Sequence, residues 1–211
     1  MKLKKIKPEL QQALAECGLT EANEIQQETF SLIKSGADCV IIAPEGSGKS
    51  TTIAINVLQQ LTSEAEESPR ALIFVETKEK VHELEKIFEN FGGENPLQVY
   101  GVHDRGDIDY DKNYISTGID VLIGTPNRLS EMFSSAGYNV NRLKMFIIDD
   151  ADAILKARHE TRIMRISNSI SKTQRLIFSD VVTERLELFV DKFIEEANWL
   201  EFDEDEPAEE S

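Results

Sequence analysis

"APEGSGKST", residues 43–51, lies between an apolar run, "DCVII" (38–42), and a segment with helical spacing, "TTIAINVLQQL" (51–61). A glycine-rich loop that joins a buried strand to a helix can wrap its backbone N–H groups around an anion. The helix N-terminus adds the positive end of its dipole. Gly46, Ser47, Gly48, Lys49, Ser50 and Thr51 supply that loop and helix start. Lys49 is spaced to reach the β- and γ-phosphates of a nucleotide, and the Ser50 hydroxyl to ligand Mg²⁺. The pattern is G-x-x-x-x-G-K-S/T, with Ala43 in place of the first glycine. A glycine-rich turn carrying a surface lysine is the plain alternative.

The surrounding sequence alternates. β-rich runs recur at 38–43, 71–76, 97–101, 120–125, 144–149 and 174–179. Helical spacing fills most intervals, as in Leu186, Phe189, Val190, Phe193 and Ile194. "PELQQALAECG" starts at Pro8 and stops at Gly18, and Asn23 is placed to cap a helix running to Gly36. Residues 102–118 are polar and predict a loop with a short helix. Strands apolar along nearly their whole length are buried on both faces. The expected fold is therefore α/β: a doubly wound, mostly parallel sheet with helices on both faces.

A second charged cluster follows the run Phe146-Ile147-Ile148. "FIIDDADAIL" (146–155) sets Asp149, Asp150 and Asp152 at the mouth of a buried strand. A carboxylate there is the usual second half of a phosphate-loop site, where it orients Mg²⁺ through its water shell. Asp149 fits that place. Helix capping is the competing reading, and it weighs more for Asp150 and Asp152.

Bulk properties narrow the classes. The 211 residues allow one domain, set at 1–202, followed by an acidic and disordered tail at 203–211. The net charge of −16 argues against nucleic-acid binding by bulk electrostatics, so any such contact must be local. No stretch approaches the roughly 20 apolar residues of a membrane helix. No apolar region follows the basic "MKLKKIKPEL", so no signal peptide and a cytoplasmic location are expected. Cys17 and Cys39 read as buried free thiols, and the three histidines show no metal spacing.

In combination these pieces resemble the first RecA-like domain of the DEAD-box RNA helicases. "GLTEANEIQ" (18–26) resembles the adenine-reading Q motif and "APEGSGKST" motif I. "VETKEKVHEL" (75–84) resembles motif Ia, and "GTPNRL" (124–129) the T-P-G-R motif. "IIDDADAIL" resembles V-L-D-E-A-D, and "RLIFSDVV" (175–182) the S-A-T region. All six stand in the family order over residues 1 to about 202. The resemblance implies a RecA-like P-loop NTPase fold with ATP and Mg²⁺ as ligands. It implies that Gln26 bonds the adenine edge, and that Gly46, Ser47, Gly48, Lys49, Ser50 and Thr51 hold phosphates. Ser50 and Asp149 would hold the metal. Lys49, Asp149 and Asp150 are then the catalytic set, with Asp150 where the family has its water-positioning glutamate. Thr77, Lys78, Thr125 and Arg128 would touch the RNA backbone. Asp152 and Ser179 would couple hydrolysis to unwinding.

The departures from the family pattern carry equal weight. Asp150 is one methylene shorter than glutamate, roughly 1.5 Å of reach, so slow turnover is expected rather than none. Motif III reads Ser179-Asp180-Val181, without the threonine hydroxyl and with an added carboxylate. Lys78 stands for an arginine, Asn127 for a glycine, and "MKLKKI" lacks the aromatic residue that stacks on adenine. The family's second RecA-like domain, with its arginine fingers, has no counterpart in these residues. A partner supplying that domain or an arginine is therefore expected, and no autonomous unwinding. A basic start and an acidic end suit a complete chain and equally the first domain of a longer one. A degenerate helicase half serving protein interaction or regulation is the alternative. A small P-loop kinase would need a lid of clustered arginines, and the sequence shows none.

Overall fold

The computed structural model describes residues 3–61, 68–93, 96–170 and 172–203. Its elements alternate along the chain: α1 (Pro8–Glu16), α2 (Glu24–Lys34), β1 (Cys39–Ile42), α3 (Lys49–Gln60), β2 (Ala71–Phe74), α4 (Lys78–Phe91), β3 (Val99–Val102), α5 (Ile108–Ile115) and β4 (Val121–Gly124). There follow α6 (Pro126–Ser134), β5 (Met145–Ile148), α7 (Ala151–Lys156), α8 (Glu160–Ser167), β6 (Gln174–Ser179), α9 (Glu184–Phe193) and β7 (Asn198–Glu201).

Local chemistry sets the helix starts. Pro8 opens α1 and Pro126 opens α6, where the missing N–H is no loss. Asn23 caps α2 through a reciprocal pair: its side chain accepts from the Gln26 backbone, and the Gln26 side chain accepts from the Asn23 N–H. Thr77 caps α4 and Thr183 caps α9 in the same one-sided way.

All strand pairs are parallel, in the order β3-β4-β2-β5-β6-β1-β7. Strand side chains alternate between faces, and the core divides accordingly. Cys39, Ile41, Ile73, Ile147 and Phe178 pack into the layer that holds α1 to α4 residues such as Leu14, Phe30, Ile53 and Phe88. Val40, Leu72, Phe74, Phe146 and Ile177 pack into the other layer, with Leu129, Ile154, Phe189 and Phe193. The doubly wound sheet expected from the sequence is present, and it is wholly parallel. The short helix expected in 102–118 is α5.

Two sequence readings change. β7 was not read as a strand. Its side chains are exposed or half-buried, so "NWLE" lacks the apolar run that marks its neighbours. Cys17 is exposed rather than buried: it lies just past the end of α1, with its thiol on the Asn90 carbonyl. Cys39 is buried as expected, and burial pushes its thiol up to about 12. The acidic tail, apart from an exposed Asp203, lies outside the described residues.

The N-terminal edge of the sheet is tied by a buried ion pair. Arg70, ahead of β2, meets Asp120, ahead of β4, at 2.5 Å, and both side chains are 1% exposed. The second Asp120 oxygen accepts from the Gln98 N–H at 2.8 Å, ahead of β3. A buried pair that loses one member leaves an uncompensated charge. Asp120→Asn is expected to lower unfolding free energy by about 3 kcal/mol. In urea unfolding the midpoint should fall with the slope unchanged.

Candidate functional site

The sheet register brings the distant motifs together. Ile42 of β1 pairs with Ser179 of β6, and Ile148 of β5 pairs with Ile177 of β6. Of these three adjacent parallel strands β1 and β6 end level, and β5 ends two residues earlier along β6. The loop after β1 carries 43–48, the loop after β5 carries Asp149 to Asp152, and the loop after β6 carries Asp180. In open α/β sheets ligands bind at this carboxyl edge.

The loop from β1 to α3 needs its glycines. Gly48 has φ +92°, and a Cβ there would sit 3.0 Å from the Asn23 amide nitrogen. That amide donates to the Ser47 carbonyl at 2.8 Å, so the start of α2 braces the phosphate loop. Gln26 is buried in the same brace. Its Oε1 accepts the Asn23 N–H at 3.1 Å, which places it beside the loop rather than in the cavity wall. Lys49 is turned back onto its own loop. Its ammonium donates to the Ala43 carbonyl at 2.7 Å and the Pro44 carbonyl at 2.9 Å, and pairs with Asp180 at 2.6 Å.

Across the cavity, the Ser50 hydroxyl donates to Asp149 Oδ2 at 3.2 Å. Asp149 is 2% exposed. Burial, and then the neighbouring Asp150 charge, push its carboxyl up to about 7. Asp150 adopts left-handed backbone, φ 53° and ψ 44°, and heads α7 without a side-chain cap bond. The capping alternative therefore does not describe its side chain. Its Oδ2 is buried without a hydrogen-bond partner, and burial raises its pKa against the opposing Lys80 charge. Asp152 accepts from the Ser179 hydroxyl at 3.0 Å and from the Asp180 N–H at 3.2 Å.

These groups line a cavity of about 390 Å³. Glu45, Glu76, Glu83, Asp149, Asp150, Asp152 and Asp180 face only Lys49 and Lys80 across it. A cation suits such a wall. The buried Asp149 carboxyl with the Ser50 hydroxyl 3.2 Å away is a donor set that Mg²⁺ fits, since that ion takes one or two protein ligands and fills its octahedron with water and phosphate oxygens. No cluster of three or more acidic, His or Cys residues in metal-holding geometry occurs among the described residues.

The four residues read as RNA contacts gather on the neighbouring strand ends, after β2 and β4. Thr77 and Lys78 are half-buried at the start of α4. Thr125 is buried, its hydroxyl on Asp104 Oδ1 at 3.2 Å. Arg128 is 4% exposed. Its guanidinium donates to the His103 and Gly106 carbonyls and pairs with Asp111 and Glu131. Arg128 thus shapes the loop after β3.

One residue and two contacts of the site escape the sequence reading. Lys80 lies one turn into α4 with no motif signal, and the Asn23 bond to the loop was hidden behind its capping role. The Lys49–Asp180 pair joins positions 131 apart, and only the register shows it.

A model of the DEAD/DEAH box helicases matches residues 23–189. The chain belongs to that family. The eIF4A ATP-dependent RNA helicase of Yarrowia lipolytica is 28% identical over 172 residues, which is 82% of this chain and 43% of that protein. The Drosophila melanogaster helicase WM6 is 25% identical over 88% of this chain and 48% of its own length. The chain thus spans about half the length of the relatives it matches. A DEAD box protein from the hyperthermophile Methanococcus jannaschii superposes with a TM-score of 0.89 at 20% identity, covering 94% of this chain and 54% of that one. Saccharomyces cerevisiae Dbp5, solved with Nup159, Gle1, IP6 and ADP, superposes with a TM-score of 0.85 over 93% of this chain and 52% of its own, at 19% identity.

Asp149 gives the site a pH signature. A carboxyl whose folded value lies above its unfolded value, near 3.8, binds its proton more tightly when folded. The folded state therefore carries no penalty below about pH 4 and loses stability as pH rises toward about 7. In metal-free buffer, unfolding free energy of the wild type relative to Asp149→Asn should fall across that window by on the order of 4 kcal/mol. Paired urea titrations at several pH values measure it, and Mg²⁺ should flatten the slope.

Proposed function

We propose that this chain is a Mg²⁺-dependent ATP-binding domain of RNA-helicase type, slow in hydrolysis and unable to unwind duplex unaided. The observation that carries the reading is the Ser50–Asp149 contact at 3.2 Å, opposite a loop whose geometry requires Gly48. The first-turn N–H groups of α3 have no carbonyl one turn earlier to bond, so they are free to meet phosphate oxygens. Lys49, swung out from its loop, adds the matching positive charge. Mg²⁺ bound by Ser50 and Asp149 would neutralise phosphate charge. Asp149 then works ionised, because the cation removes the reason for its raised value.

Asp150 stands beside Asp149 with an oxygen that no protein group satisfies. An attacking water can donate to it. The carboxylate is a methylene shorter than glutamate, and misplacement near 1 Å can lower a rate on the order of 100-fold. An arginine brought to the site by a second RecA-like domain or by a partner would raise turnover, by roughly 10³- to 10⁵-fold. RNA contact is assigned to the edge after β2 and β4, through the N-terminal amides of α4 and α6 and through Thr77 and Lys78. Thr125 supports α6, and Arg128 holds the adjoining loop.

The alternative, a non-catalytic interaction module, is favoured by one observation: Lys49 is fully engaged inside the protein. Titration with Mg·ATP decides between them. Binding that is lost in Lys49→Ala, with turnover raised by single-stranded RNA, is the expected result. Wild type and Lys49→Ala behaving alike would leave only the interaction module. Duplex unwinding by the isolated monomer would contradict the proposal from the other side.

A further inference from the structure

Asp180 has no task in that reading, yet it makes the strongest contact in the site. The Lys49 ammonium has three N–H bonds to give. Three acceptors take them: the Ala43 carbonyl at 2.7 Å, the Pro44 carbonyl at 2.9 Å and Asp180 Oδ1 at 2.6 Å. The ion pair is the strongest of the three, being charged on both sides. Lys49 is 7% exposed and Asp180 37%, so the pair is closed toward the protein and open toward the cavity.

The carboxylate is also held in position. The Asp180 N–H donates to Asp152 Oδ1 at 3.2 Å, and the Ser179 hydroxyl reaches the same oxygen at 3.0 Å. From the other side, the Ala43 N–H donates to the Ser179 carbonyl at 3.0 Å. The loop after β6 is thereby fixed between the phosphate loop and α7. An aspartate so placed presents to Lys49 what a nucleotide would present: an anionic oxygen at hydrogen-bond distance.

We propose that Asp180 is a resident stand-in for a nucleotide phosphate, so that a di- or triphosphate must displace its carboxylate from Lys49 in order to bind. This rests on the nucleotide-binding reading and adds what limits it. Two effects act in the same direction. The carboxylate occupies the lysine, and it adds one more negative charge to a wall that already repels phosphate. Removing it releases Lys49 and lowers the repulsion. The Lys49 part of the gain belongs to ligands with a β-phosphate, ATP and ADP, and is absent for AMP.

The test is calorimetric titration of the 211-residue chain with Mg·ATP, Mg·ADP and AMP. The variants are Asp180→Ala, the near-isosteric Asp180→Asn, Lys49→Ala, and Lys49→Ala with Asp180→Ala, each first checked for native circular dichroism. Asp180→Ala and Asp180→Asn are expected to bind Mg·ATP and Mg·ADP about 10-fold tighter than wild type, with a smaller change for AMP. When Lys49 is already alanine, the gain should shrink to the smaller change seen with AMP. A silent wild type beside a binding Asp180→Ala would support the proposal in its strongest form. If the Asp180 variants match wild type while Lys49→Ala loses binding, the stand-in is wrong and the nucleotide reading survives. A gain that persists undiminished without Lys49 makes Asp180 a general repulsive charge and overturns the proposal. Absence of nucleotide binding in every variant overturns both.

Discussion

Ile42 lies beside Ser179 and Ile148 beside Ile177, and those pairings decide where each charged group of the site stands. A parallel ladder permits no small adjustment, because a slip of one residue turns every side chain to the opposite face. Cys39 and Ile41 must enter one core layer while Val40 and Ile42 enter the other. The packing of both layers therefore fixes the register, and the register sets the ends of β1 and β6 level with β5 two residues behind. Asp149 meets Ser50 across 99 positions of sequence for that reason. The charged groups are unfavourable neighbours that apolar packing forces together.

The enforced proximity explains the electrostatics. Seven carboxylates and two lysines face one cavity. Two of the carboxyls resist ionisation: Asp149 through burial and the neighbouring Asp150 charge, Asp150 through burial and the charges of Asp180 and Asp152. Such a wall cannot attract a polyphosphate by itself. A divalent cation suits it better than a bare anion does. Lys49, the charge best placed to face a phosphate, is kept on Asp180.

Much of this was legible in the chain, and the boundary of legibility is physical. "APEGSGKST" and "FIIDDADAIL" could be read because each is a local solution: a strand end, a loop and a helix start within ten residues. Asn23 could be read as a cap for the same reason. Arg128 could not be placed. Its neighbours in space, His103, Gly106 and Asp111, lie between β3 and the end of α5, so its burial and internal bonds leave no local signal in the sequence. β7 was missed because its partner β1 contributes the hydrogen bonds while its own side chains contribute little burial. Cys17 was misjudged because residue type predicts burial only on average.

The carboxyl edge of the sheet divides into two halves with unequal readiness. After β5, β6 and β1 the groups converge on one cavity and already contact one another. After β2 and β4 the candidate contacts are half-buried or spent on internal bonds, and Lys78 with the amides of α4 and α6 supplies the positive charge that can face an anion. Lys80 belongs to both halves, since it sits on α4 and its charge acts on Asp149 and Asp150. A strand of phosphates drawn to the start of α4 would compete for Lys80 and weaken its hold on those two carboxylates. Their proton affinity would rise, and so would their need for a cation. Lys80 is in this sense a charge that the two halves share.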